Sequence, residues 1–150
     1  MPGLDTNVLV RWLVNDDAAQ AATVRRLMSL VPTGQPLLVP ITVTLELEWV
    51  LRARYRFDKV SVVSAFDALL ETDEMQFQHD ESVEWALRTY RDGSADFADC
   101  LHAALCVWEE FSPLLTFDIR AARLRGDDRC DRRSGRRGQR IRITTRRKDR

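Results

Sequence analysis

Cysteine, histidine and lysine are scarce in this chain of 150 residues, and each shortage narrows the functions open to it. Cys100, Cys106 and Cys130 are odd in number, and the first two fall inside an apolar helical pattern. That argues against a disulfide framework and makes a reducing cytoplasm the expected setting. His79 and His102 form no Ser/His/Asp set that spacing supports. Cys100, His102 and Cys106 lie close together, but no second Cys/His cluster completes a tetrahedral zinc site; cysteine packed in a helix is the ordinary reading. Long apolar runs are missing too, and none approaches the roughly 20 residues of a membrane helix. The N-terminus lacks the basic segment and apolar stretch of a secretion signal. Internal repeats are absent.

What remains is 45% hydrophobic and 31% charged, the composition of one globular domain. The formal net charge of zero conceals an asymmetry. Residues 1–125 hold 12 Lys+Arg against 19 Asp+Glu, a balance of −7, whereas residues 126–150 hold 11 against 4, a balance of +7. An acidic body at 1–125 is therefore followed by a basic tail at 126–150. Apart from Ile141-Arg142-Ile143-Thr144 that tail has too little apolar surface to offset the entropy of ordering, and it is expected to be flexible.

Within the body, short apolar strands alternate with amphipathic stretches. A brief strand ends near Asp5, and Val8, Leu9, Trp12 and Leu13 follow at helical spacing. Asn15-Asp16-Asp17 breaks that helix and caps the next. Leu37-Leu38-Val39 reads as a strand buried on both faces. From Thr42 to Tyr55 the spacing predicts a helix with Val43, Leu47, Val50 and Leu51 inward. Glu46 lies at the edge of that face, while Glu48 points away and pairs with Arg52 at i+4. A helix over 60–70 with Val60 inward, a strand at Met75-Gln76-Phe77 and a helix from Glu81 to Tyr90 come next. An Ala-rich helix opens with Asp96 and Asp99, a strand at Leu114-Leu115-Thr116-Phe117 leads into Asp118, and a short helix closes the body. Trp12, Trp49, Trp85 and Trp108 all fit core spacing. This alternation predicts an α/β sandwich around a largely parallel sheet.

Asp5, Glu46, Asp96, Asp99 and Asp118 stand out as acids at strand ends or helix edges. Beyond the carboxyl ends of parallel strands lies the crevice in which such folds place their sites, and Asp5 and Asp118 would both arrive there. Carboxylates gathered at one edge repel unless a cation neutralises them. Mg²⁺ or Mn²⁺, which prefer oxygen ligands, are the natural candidates. Each acid also has an ordinary explanation. Asp5, Asp96 and Asp118 stand where helix caps belong, and Glu46 and Asp99 fit a solvated helix face.

Gly3-Leu4-Asp5-Thr6-Asn7-Val8-Leu9, Glu46-Leu47-Glu48-Trp49-Val50-Leu51, Ala95-Asp96-Phe97-Ala98-Asp99-Cys100-Leu101-His102-Ala103-Ala104 and Leu115-Thr116-Phe117-Asp118 together resemble the successive motifs of PIN-domain nucleases. The subgroup they are most similar to is the VapC-type toxins of bacterial toxin–antitoxin pairs. The resemblance implies a three-layer sandwich, with a short parallel sheet of four to five strands flanked by helices. It also implies a Mg²⁺- or Mn²⁺-dependent endoribonuclease acting on structured RNA such as tRNA or rRNA. Carried over by motif, Asp5, Glu46, Asp99 and Asp118 match the acidic quartet and Asp96 an additional acid, while Thr6, Asn7 and Thr116 match supporting polar positions. A homodimer and a cognate antitoxin are implied as partners. Family members usually end in a short apolar strand where this chain has Asp127-Asp128-Arg129-Cys130-Asp131, so the tail departs from the pattern.

On that reading, the basic residues Arg11, Arg52, Arg54 and Arg56 are expected to flank the RNA groove of an otherwise acidic body. Two rivals remain open. A haloacid-dehalogenase-like phosphatase wants a second Asp where this chain has Asn7 and a lysine near the site, yet Lys59 and Lys148, the only lysines, follow no strand. The other is a non-catalytic PIN-fold interaction protein.

Overall fold

The computed structural model describes residues 2–14 and 16–124. The basic segment 126–150, with Cys130 and the strand-like 141–144, lies outside the described residues. Chain contacts divide the protein into two compact units, one running to Asp80 and one from Glu81 onward.

The first unit holds α1 (Thr6–Val14), α2 (Ala18–Ser29), β1 (Leu37–Val39), α3 (Ile41–Ala53), α4 (Lys59–Leu70) and β2 (Met75–Phe77). β1 pairs with β2 in parallel, Leu37 opposite Met75 and Val39 opposite Phe77. On its other side β1 meets the N-terminal segment. There the Leu4 N–H donates to the Leu38 carbonyl at 2.8 Å and the Leu38 N–H to the Pro2 carbonyl at 2.9 Å, making a parallel bridge at Gly3. Strand side chains alternate between faces, and Leu37, Val39, Met75 and Phe77 are all buried. Leu38 is only half-buried and Gln76 is exposed, so the expected burial of β1 on both faces is not realised. Phe66 of α4 sets its ring 6.4 Å from that of Phe77. Because these segments run the same way, Asp5, the start of α3 and Gln78 share the carboxyl edge of the sheet. Pro40, at the N-cap of α3, makes no side-chain cap, and the Gln78 Oε1 instead accepts the Ile41 N–H at 3.0 Å.

Of the break expected at Asn15-Asp16-Asp17, Asn15 lies outside the described residues, and α2 begins only at Ala18. Asp17 caps α2 by accepting the Gln20 N–H at 3.0 Å. Asp17→Ala is expected to cost about 1 kcal/mol, lowering Tm by about 2–4 °C in a calorimetric scan. An unchanged Tm would mean that solvent satisfies that N–H equally well.

α3 is turned relative to the sequence expectation. Its buried stripe is Thr44, Leu47, Glu48 and Leu51, and Glu48 is only 5% exposed while Glu46 faces solvent. The expected ion pair does form, Arg52 Nε lying 2.9 Å from Glu48 Oε1, but with Glu48 buried rather than solvated. Val60 likewise is exposed, and α4 buries Val62, Val63, Phe66 and Leu69 instead.

In the second unit, α5 (Asp80–Asp92, its first residue belonging to the other unit) buries Val83, Trp85, Ala86, Leu87 and Tyr90, the set its periodicity predicts. α5 runs on to Asp92, two residues past the expected Tyr90, and a Cβ at Gly93 would meet the Thr89 carbonyl oxygen at 2.8 Å. α6 (Phe97–Trp108) packs through Phe97 edge-on to Tyr90, at 5.9 Å between rings, and through Trp108 against Trp85 at 6.3 Å. A 3₁₀ turn at Ala121–Arg123 stands where a short last helix was expected, and it packs on α6.

The strand expected over 114–117 is not formed. Leu115 is 75% and Phe117 90% exposed, and among the described residues no ladder includes the segment. A short apolar run becomes a strand only by pairing its backbone, so apolar composition alone did not suffice. The described part of the parallel sheet is β1, β2 and the Gly3 bridge.

Candidate functional site

Asp5 immediately precedes α1. Its backbone carbonyl accepts the N–H groups of Val8 and Leu9 at 3.0 and 3.4 Å, so its main chain opens the helix. The carboxylate does something else, for Oδ2 accepts from the Asn7 amide at 3.2 Å, and the side chain is exposed. Thr6 next to it is only 4% exposed, and its hydroxyl donates a short hydrogen bond to Glu46 Oε2 on α3. A burial pattern alone cannot place Glu46. That bond does, tying it to the residue beside Asp5. Thr6 and Asn7 thus have Glu46 and Asp5 as hydrogen-bond partners.

The second unit holds the other acids. Asp96 is the N-cap of α6, yet its side chain makes no cap hydrogen bond, so the ordinary reading of Asp96 as a cap is not realised. Asp99 stands one turn further on and is half-buried. Burial pushes its carboxyl above the usual range, and the negative charges of Asp118 and Asp96 push it further, against smaller opposing effects of His102 and Arg120. Asp118 behaves in the opposite way. Its Oδ1 accepts the N–H groups of Arg120 at 2.6 Å and Ala121 at 3.1 Å, and those backbone bonds, that of Ala121 foremost, hold it below the usual carboxylate range. A cap role for Asp118 is therefore realised at the start of the 3₁₀ turn. Thr116 supports it, its Oγ1 accepting the Asp118 N–H at 3.0 Å.

Arg120 was not singled out from the sequence. Its guanidinium lies 3.7 Å from both Asp96 and Asp118, a positive charge between two acids that repel each other. Its position two residues after Asp118 was the available signal, hidden by the reading of that segment as plain helix. Within their own units, then, Asp5, Thr6, Asn7 and Glu46 form one group and Asp96, Asp99, Thr116 and Asp118 another. Among the described residues no three His, Cys, Asp or Glu side chains stand close enough to close around one metal ion. The donors are nonetheless all carboxylate oxygens, the hard set that suits Mg²⁺ or Mn²⁺ rather than zinc.

Two of the arginines expected to meet RNA are already engaged. Arg11 donates to Asp16 at 2.6 Å and to Gln20 at 2.7 Å, and Tyr55 donates to the same Asp16 at 2.7 Å. Tyr55 also accepts from Arg11 at 3.4 Å, and its two hydrogen bonds are the main reason that Arg11 is held above and Asp16 below its ordinary pKa. Arg52 serves Glu48. Arg54 and Arg56 are exposed.

A family model for the PIN domain matches residues 4–127. The chain belongs to the PIN-domain family. PIN domains are generally metal-dependent nucleases, and the α/β architecture with its parallel sheet is that of the PIN fold. The haloacid-dehalogenase alternative falls with this assignment. A comparison with curated proteins found no match. No helix among the described residues of this PIN domain is long and apolar enough to cross a membrane.

Proposed function

We propose that the protein is a Mg²⁺- or Mn²⁺-dependent endoribonuclease, the toxin of a toxin–antitoxin pair. The observation that carries this reading is the placing of Asp96 at the N-cap of α6 and of half-buried Asp99 in its first turn, where Asp99 feels the charges of both Asp96 and Asp118, in a chain whose family is a nuclease family. A half-buried carboxylate facing neighbouring acids is poised to gain from a cation. Asp5, Glu46, Asp96, Asp99 and Asp118 would hold it. When bound, a divalent ion lowers the pKa of a water and neutralises charge on the scissile phosphate.

The remaining work falls to the chain itself. Thr6 fixes the Glu46 carboxylate, Asn7 steadies Asp5, and the Thr116 hydroxyl with the backbone of the 3₁₀ turn holds the Asp118 loop. Hydrolysis leaves a 5′-phosphate and a 3′-hydroxyl. Residues 1–125 form the nuclease domain in this reading, which the family match over 4–127 supports, and 126–150 is a basic appendage. A homodimer, a cognate antitoxin in the active-site groove, a tRNA or rRNA target and a cytoplasmic setting belong to the same proposal.

One finding favours the second reading, a PIN-fold interaction protein without catalysis: within the second unit Arg120 already supplies a cation to Asp96 and Asp118. Incubating the full chain with structured RNA, with Mg²⁺ or Mn²⁺ and then with EDTA, separates the two. Cleavage that appears with the ion and stops with EDTA is expected. Intact RNA under every condition would establish the inert module instead.

A further inference from the structure

Trp49 does not join the core that its spacing predicts. At 58% exposure it lies on the solvent side of α3, opposite the buried stripe of Thr44, Leu47, Glu48 and Leu51. Its neighbours three and four residues away along the helix are Leu45, Glu46, Arg52 and Ala53, of which Glu46 and Arg52 are exposed. Among the described residues nothing covers this indole, and a large exposed indole costs solubility. Charged residues on both sides make it a poor centre for a protein interface, since interface cores are depleted of charge. Side chains three apart on a helix stand about 5–6 Å from each other, a span comparable to that between a nucleotide's phosphate and its base. Glu46, tied by its hydrogen bond to Thr6 beside Asp5, would meet the phosphate only through the divalent ion it would help to hold.

We infer that Trp49 is a base-stacking residue that receives the nucleobase next to the scissile phosphate, and so helps to select the RNA sequence that is cut. This rests on the nuclease reading above. Stacking on an indole tolerates any base but favours the larger purine surface. It suits an acidic protein that has few spare cations, because the attraction of a base to an aromatic face does not depend on phosphate neutralisation. Arg54 and Arg56, exposed just beyond the end of α3, lie where the strand would continue past Trp49.

The test uses the full chain carrying Asp99→Asn, so that RNA stays intact, with Mg²⁺ present and short oligoadenylate or oligouridylate as probes. Indole fluorescence is expected to be quenched on titration, with oligoadenylate binding tighter. Adding Trp49→Ala should abolish that quench, weaken binding about 5- to 150-fold, the effect of one stacked base, and erase the preference for oligoadenylate. Trp49→Phe should retain most of the affinity. Equal affinity and equal base preference in the Trp49→Ala chain would overturn the inference, as would no oligonucleotide binding at all. It would also fall if Trp49→Ala changed only the sedimentation of the chain, marking a surface for a second copy. Cleavage by the unsubstituted chain is measured separately, so the nuclease reading can stand while this inference fails.

Discussion

Asp99→Asn is expected to reduce metal-dependent RNA cleavage at least about a hundredfold, because it removes a charged oxygen donor where several kcal/mol of charge stabilisation are at stake. The same substitution is expected to make the protein more stable at neutral pH. Asp99 is half-buried and faces the charges of Asp118 and Asp96, and its carboxyl is raised mainly by burial. An amide of the same shape avoids both penalties. The sign of the pH dependence follows. A carboxyl raised in the folded state binds its proton more readily there than in the unfolded chain, so protonation adds stability as pH falls through the raised value. In EDTA, the Tm advantage of Asp99→Asn should therefore be largest near neutrality and shrink on acidification. Asp118 works the other way. Its depressed carboxyl supports folding above the ordinary aspartate range, and that support is lost as pH falls through the depressed value. A Tm difference that stays flat across the acid range would remove electrostatic strain at Asp99 as the cause. Loss of activity together with gain of stability is what a site residue, and not a structural one, should show.

Asp5 was legible because backbone direction alone carries it to the carboxyl edge of the sheet, whereas Asp118 follows a segment that forms no strand among the described residues. α5 was legible for a different reason. Its inward set is wholly apolar apart from Ser82, so hydrophobic periodicity and burial coincide. On α3 they do not coincide. Two of the four buried positions, Thr44 and Glu48, are polar, and a stripe drawn through the apolar residues turns the helix toward Val43 and Val50. That error exchanged the settings of Glu46 and Glu48 and hid the exposure of Trp49. Buried Glu48 is paired with Arg52, and the length of an arginine stem lets the charge of Arg52 stay half-exposed while reaching its partner. The segment 114–117 failed for a nonlocal reason, since its composition says nothing about whether a neighbouring strand is there to pair with it. Arg11 was misjudged similarly. Its partners Asp16 and Gln20 are near in sequence, but Tyr55, which fixes Asp16, is not.

Thr6→Val is expected to lower activity, or affinity for Mn²⁺, by about 10- to 100-fold, the usual effect of removing a group that orients a metal ligand. Valine matches threonine in shape but leaves no hydroxyl, so the buried Thr6 position gains no unsatisfied donor. Glu46 loses its charge-assisted bond but remains exposed, and water can replace the lost donor. The stability cost should accordingly be no more than about 1 kcal/mol. Function suffers more than folding because water satisfies the carboxylate without fixing its direction, whereas the Thr6 hydroxyl does both. Thr6→Ser, which keeps the hydroxyl, should restore most of the activity, and a metal titration of initial rates would show the difference as a changed metal requirement. If Thr6→Val cleaves RNA as well as the unsubstituted chain at limiting Mn²⁺, then Glu46 needs no orientation and its place in the acidic set is lost. A large fall in Tm with activity unchanged per folded molecule would instead make Thr6 a purely structural link between α1 and α3.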